Sequence, residues 1–204
     1  MVQFSVPVSK ALTGKRFCRF SVTHHTVLLA GSRHGMVPVS TAQDIVSAFD
    51  RLEFFFLTGC ARGVDQSFRE ALSRAELGDK TFVACAYPHC IQRHLEAGLF
   101  ASCVVPFRVS PKAAPVKRTL WAVKRASLVV LFPDDPVTNT WGRGSAVTFN
   151  AAVAQLKPVF VVTNKPPALS QSYRVLPSCF QGIVSGYWVI PQSIEEGGRC
   201  NDED

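Results

Sequence analysis

Thr58-Gly59-Cys60-Ala61-Arg62-Gly63-Val64-Asp65 joins a short apolar run, 54–58, to a segment of helical spacing, 64–75, in which Val64, Phe68, Ala71, Leu72 and Ala75 share one face. An apolar run, a glycine-rich turn and an amphipathic helix in direct succession describe a strand whose carboxyl end feeds a helix N-terminus. Glycine lets backbone N–H groups come close to an anion, the free N–H groups of the first helical turn add partial positive charge, and arginine adds a two-pronged fork. The stretch reads as a phosphate-recognising turn.

Outward from it, further short apolar runs lie at 27–31, 81–86, 103–107, 128–133 and 158–162, with helical patterns at 41–52, opened by a Ser40/Thr41 cap signal, and at 145–156. Runs this short and this apolar suit strands covered on both faces. The alternation predicts an α/β fold: a mainly parallel sheet with helices on both faces. Residues 165–178, rich in Pro and Ser, read as a loop, and 183–190 as a last strand on the sheet edge. The chain thus divides into a basic N-terminal extension (1–25) with weak alternation suited to an edge strand, a nucleotide-binding body (26–163), the loop and edge strand (164–194), and an acidic, disordered tail (195–204).

Ligands of parallel sheets gather at the carboxyl ends of strands, and two more turns there have the same chemistry. Gly31-Ser32-Arg33 follows the first run. Asp134 through Arg143 follows the fifth and closes on Gly142-Arg143-Gly144-Ser145, which opens a helix. Three such turns at matching ends point to one shared anion site. Within it, Asp65 either orients a ribose hydroxyl or serves as an acid–base group, or else stabilises the helix dipole from the first turn. Cys60 is either a thiol activated near a helix N-terminus or inert packing. Trp121, Trp141, Phe132 and Tyr87 fall near the loop side; Phe132 suits the core, while Trp141 suits either base stacking or a lid over the site.

Composition agrees with an anionic ligand. The 204 residues carry a formal charge of +7; residues 1–25 and 195–204 cancel each other, so the whole excess belongs to the body. With 47% hydrophobic and 18% charged residues, the chain is too apolar for disorder, yet no apolar run approaches the ~20 residues that cross a bilayer. The N-terminus lacks the unbroken apolar run of a secretory signal, which predicts a cytoplasmic protein without membrane contact. Seven cysteines without CxxC spacing fit reduced thiols, and the spacing of Cys85, His89, Cys90 and His94 matches no zinc module. No metal and no cofactor are expected.

The same motifs resemble the SLOG superfamily, Rossmann-like domains that include the DNA-processing DprA (Smf) proteins and the Lonely Guy phosphoribohydrolases. Thr58 through Asp65 is similar to the DprA signature (S/T)-G-x-A-R-G-(I/V)-D, Gly31-Ser32-Arg33 to its G-(S/T)-R turn, and Gly144-Ser145-Ala146-Val147-Thr148 to its G-S-L-I-T turn. Lys117-Arg118-Thr119 stands where relatives have Arg-Asn. The resemblance spans about residues 26–163 and implies a Rossmann-like sheet, a phosphate pocket and self-association into a homo-oligomer. It implies a binding site for a nucleotide or single-stranded DNA formed by Gly31, Ser32, Arg33, Thr58, Gly59, Ala61, Arg62, Gly63, Arg118, Gly142, Arg143, Gly144, Ser145 and Thr148. The phosphoribohydrolases carry a catalytic Glu where this chain has Thr148, so the resemblance implies a non-hydrolytic protein. Two alternatives stay open: an N-glycosidic hydrolase using Asp65 or Asp134/Asp135, and a sensor of a small nucleotide signal.

Overall fold

A computed structural model describes residues 25–133, 141–169 and 172–192 of the chain. Its centre is a set of short strands that alternate side chains between two apolar layers. In β1 (Thr26–Gly31), Val27 and Leu29 point to one face and Leu28 to the other; in β2 (Phe55–Gly59), Phe56 and Leu57 divide likewise. β3 (Thr81–Cys85), β4 (Phe100–Cys103), β5 (Leu128–Phe132) and β6 (Val159–Val161) complete the parallel part. β7 (Tyr173–Phe180) and β8 (Val184–Pro191) add an antiparallel hairpin, giving the order β4-β3-β2-β1-β5-β6-β8-β7.

α1 (Val39–Arg51) and α2 (Val64–Arg74) cover one face, through Ile45, Phe49, Phe68 and Leu72 among others. α4 (Ala114–Arg125) and α5 (Arg143–Ala154) cover the opposite face through Ala122, Val123, Phe149 and Ala152. Each fully buried ring or aliphatic side chain in these layers, such as Phe56, Phe68 or Phe160, contributes about 1.5–3 kcal/mol. The chain winds outward from β1 to β4, then crosses back to lay β5 on the other side of β1. Strand order therefore reverses between β1 and β5, the point where doubly wound sheets open a crevice at their carboxyl edge. The α/β, Rossmann-like architecture is as expected. Among the described residues no helix is long and apolar enough to cross a membrane.

Several local expectations give way. The strand placed at 103–107 runs instead over Phe100–Cys103, because Gly98, at φ +78°, turns the chain directly out of α3 (Ile91–Glu96) into it. The apolar run that suggested the later position lies mostly beyond the strand, and Phe107 is 94% exposed. The segment expected as loop to 178 contains β7; Pro177 gave the loop signal, yet proline is tolerated on an outer strand. β8 accordingly lies inside the sheet, between β6 and β7, and not on its edge. α1 starts at Val39 with Pro38 before it and no side-chain cap, so Ser40/Thr41 is not its cap. α3 and α4 were not expected. The edge strand of 1–25 and the acidic tail lie outside the described residues, apart from His25 of the extension.

At the β1/β5 junction a Cβ on Gly31 would run into the Phe132 carbonyl and lie 2.9 Å from Val64 Cγ2. Gly31→Ala is therefore expected to destabilise the fold by about 1–3 kcal/mol. At roughly 2–4 °C per kcal/mol for a domain of this size, thermal melts detect it, and an unchanged Tm refutes the close approach.

Candidate functional site

The turns after β1 and β2 are built against each other. Ser32 donates its N–H to Phe132 O (2.8 Å) and accepts the Val64 N–H on its carbonyl (2.9 Å), tying together the carboxyl ends of β1 and β5 and the start of α2. The Ser32 hydroxyl accepts the His34 and Gly35 N–H groups at 2.9 and 3.0 Å. Gly63 sits at φ +72° with its α-carbon against the Ser32 and Arg33 backbone, where a side chain finds neither room nor a comfortable conformation. Arg33 and Arg62 ride on these two turns, both exposed.

Beneath them lies a buried ion pair. Asp65, in the first turn of α2, meets Arg118, reaching from α4 on the other face of the sheet, at 3.1 Å between Oδ2 and Nη1. The pair crosses over Gly59, whose missing side chain provides its space: a Cβ there would collide with both groups. Burial works against the charge of Arg118, but the Asp65 carboxylate and Cys60 outweigh it and push its pKa up. Asp65 Oδ2 also accepts the Ala61 N–H at 3.3 Å. Its carboxylate is thus committed to holding the loop in place.

Two further arginines fasten the same loop. Arg69 of α2 donates to the Gly59 carbonyl and to Ala61 O (2.8 Å), and Arg93 of α3 donates to Cys60 O at 2.8 Å. Arg93 Nε also donates to Nε2 of buried His94 at 3.3 Å. Burial, then the charges of Arg69 and Arg93, pull the His94 pKa down to about 4. Sequence reasoning missed Arg69 and Arg93, and met His94 only within a spacing that matches no zinc module. The signal for Arg69 was its place one turn after Asp65 and beside Phe68, a charged residue inside the apolar stripe.

These contacts revise the expected role of the backbone. The N–H groups of Ala61 and Val64, and those of His34 and Gly35, are spent inside the protein. Charge is presented outward by arginine side chains instead. Arg33, Arg62 and Arg143 are exposed, whereas Arg118 is buried in its ion pair.

The third turn reaches the same edge at the start of α5. Gly142 precedes the helix, Arg143 is its first residue, Gly144 stands in open space, and Ser145 is buried. The Thr148 hydroxyl donates to Gly144 O at 3.0 Å, within its own helix. Trp141 is half-buried and meets Phe149 edge-on at 4.6 Å, lining a cavity of about 270 Å³ with Asn150, Pro167 and Ala168. Asp134 and Asp135 lie outside the described residues. The other aromatic candidates are engaged elsewhere: Phe132 against Phe68, Trp121 against Phe82 and under Arg125, and Tyr87 against His89 with its hydroxyl on Pro111 O.

Among the described residues, three buried side-chain atoms have no hydrogen-bond partner: Thr58 Oγ1, Arg118 Nε and Ser145 Oγ. Two of their residues, Thr58 and Ser145, belong to the turns of this edge and Arg118 reaches over it; buried polar groups left unsatisfied are rare. Cys60, in the same loop, accepts the Ala86 N–H on its sulfur at 3.4 Å. A hydrogen bond with Cys85, and then the charge of Arg118 and the Ala86 contact, draw its pKa down to about 5 against the opposing effect of burial, while the same pairing drives Cys85 up. Among the described residues no three His, Cys, Asp or Glu side chains converge as a metal site requires.

The architecture has solved counterparts. The chain is similar to DNA processing protein A (DprA) of Streptococcus pneumoniae, with a TM-score of 0.53 and 16% identity, over 71% of this chain and 52% of that one. It is also similar to DprA of Helicobacter pylori, whose structure is described for its single-stranded DNA binding mode, with a TM-score of 0.54, 18% identity and coverage of 71% and 68%. The chain spans about half the length of the first and two thirds of the second. The fold is that of a DprA-like Rossmann core. No protein-family model and no curated protein matches the sequence.

Proposed function

We propose that this chain binds single-stranded nucleic acid by its phosphates at the carboxyl edge of the sheet, without turning it over. The observation that carries the reading is the presentation of Arg33, Arg62 and Arg143, exposed and without acidic partners among the described residues, on three turns around the β1/β5 junction. The internally bonded loops and the Asp65–Arg118 pair hold those turns rigid before a ligand arrives, which reduces the ordering cost of binding. The excess positive charge of the body steers a polyanion to this edge. The Helicobacter pylori DprA structure, described for its single-stranded DNA binding mode, supports the same ligand class for this fold.

Replacing Arg62 and Arg143 together by alanine is expected to weaken binding of a short oligonucleotide about tenfold or more, since hydrogen bonds to charged groups are worth about 1.5–3 kcal/mol each. The slope of log affinity against log salt should fall by roughly 0.7 for each phosphate that is no longer neutralised. Fluorescence anisotropy across a salt series measures both, and unchanged affinity in the double variant rejects the reading.

A second reading, a small-nucleotide site, is favoured by the buried unpartnered Thr58, Arg118 and Ser145 atoms. Salt-insensitive, selective binding of one mononucleotide with weak oligonucleotide affinity would replace the first reading by this one. Release of free base, abolished in Asp65→Asn, would make the site hydrolytic.

A further inference from the structure

A cleft of about 390 Å³ lies along the seam of α2 and α3 and starts at Arg62 of the carboxyl edge. Its lining holds Arg62, Arg69, Arg74, Arg93 and His94 against a single acid, Glu70, over an apolar floor of Ala97 and Leu99. Glu70 takes a hydrogen bond from Gln66 (2.9 Å) and not from an arginine. Among the described residues the ion pairs are Lys80–Asp50 and Arg118–Asp65, so none of the four guanidinium groups is neutralised. Arg69 and Arg93 are fixed by their bonds to the loop carbonyls, while Arg62 and Arg74 are exposed. The 11 residues of α2 separate Arg62, at the carboxyl edge, from Arg74 at the far end by about 16 Å. No Phe, Tyr or Trp lines the cleft and His94 is buried in its wall, so what it offers a strand is contact to backbone charge and not base stacking.

We propose that this cleft is a second anion site, which takes the sugar-phosphate backbone of a single strand from the carboxyl edge, past Arg62, down to Arg74. The inference rests on the nucleic-acid reading given above and adds a direction to it. The strand leaves along the α2/α3 seam, and contacts in the cleft are independent of base identity. Affinity therefore grows with length beyond what the edge alone can hold.

The test compares oligothymidylates of about four and about twelve nucleotides, within the range single-strand sites occupy, on the full chain with Arg74→Glu, Arg74→Ala and Arg33→Ala. Arg74→Glu should weaken the longer strand about tenfold and leave the shorter within twofold. Arg74→Ala should reduce the salt slope for the longer strand by about 0.7. Arg33→Ala should weaken both lengths. If Arg33→Ala weakens both while Arg74→Glu leaves the longer strand untouched, or weakens the two equally, the cleft is overturned and the edge site stands. If neither length binds wild-type protein, the underlying reading fails and the cleft with it.

Discussion

Asp65→Ala is expected to lower the free energy of unfolding by about 3–5 kcal/mol, the largest single-residue effect outside the apolar core. The Arg118 guanidinium is buried and its Nε already lacks a partner; removing Asp65 leaves the whole charge uncompensated, and breaking one side of a buried pair costs in this range. The Ala61 N–H loses its acceptor as well. Replacing both partners by apolar residues, Asp65→Leu with Arg118→Met, removes the stranded charge and should recover much of the loss. Denaturant titration of the two variants decides the matter: Asp65→Ala within 1 kcal/mol of wild type would mean the pair is solvated. The loop it braces carries Arg62, so Asp65→Ala should also weaken ligand binding with no contact of its own to the ligand.

The second large effect is acid sensitivity centred on His94. In the unfolded chain this imidazole takes up a proton near pH 6.5, whereas in the folded protein it resists protonation down to about pH 4. Between these values the unfolded state binds the extra proton, so folded stability falls as the pH drops through the window and is fully present above it. A difference of two to three pKa units at 1.36 kcal/mol each amounts to about 3 kcal/mol. The geometry agrees, because Arg93 Nε donates to His94 Nε2, and a protonated ring would set two donors against each other. His94→Gln, which keeps an acceptor but cannot gain charge, should flatten the fall of Tm between pH 7 and 4. Equal slopes in the two proteins would discard the assignment.

Why some features were legible in the sequence follows from what each element buries. The five central parallel strands are nearly pure apolar runs, and α2 carries an aliphatic and aromatic stripe, so both declare themselves by periodicity. α4 was missed although one face of it, with Ala114, Ala122, Val123 and the Trp121 ring against Phe82, is apolar; the buried charge of Arg118 interrupts that face. α3 has six residues, too few for a period. The turns were legible because glycine clusters where the apolar runs end, and the structure uses it there for close approach at Gly31 and Gly59 and for a positive φ at Gly63. The internal consumption of their N–H groups was not, since it depends on Asp65 Oδ2, the Ser32 carbonyl and the Ser32 hydroxyl being brought within reach by the folded loops. A sequence shows which groups can donate, and only the assembled loops show which donors remain.

The outer strands of the sheet have a consequence for solution behaviour. Among the described residues these are β4 and β7, and each is poorly suited to accept a further strand. β4 is four residues long with Pro106 soon after it, and β7 carries Pro177 and the exposed Arg174 within its length. Proline withholds a ladder donor and a charge resists burial, the two usual means of keeping sheet edges from joining. Eight strands this rich in valine and phenylalanine would otherwise invite edge-to-edge polymerisation, which the proline and the arginine of β7 and the shortness of β4 oppose.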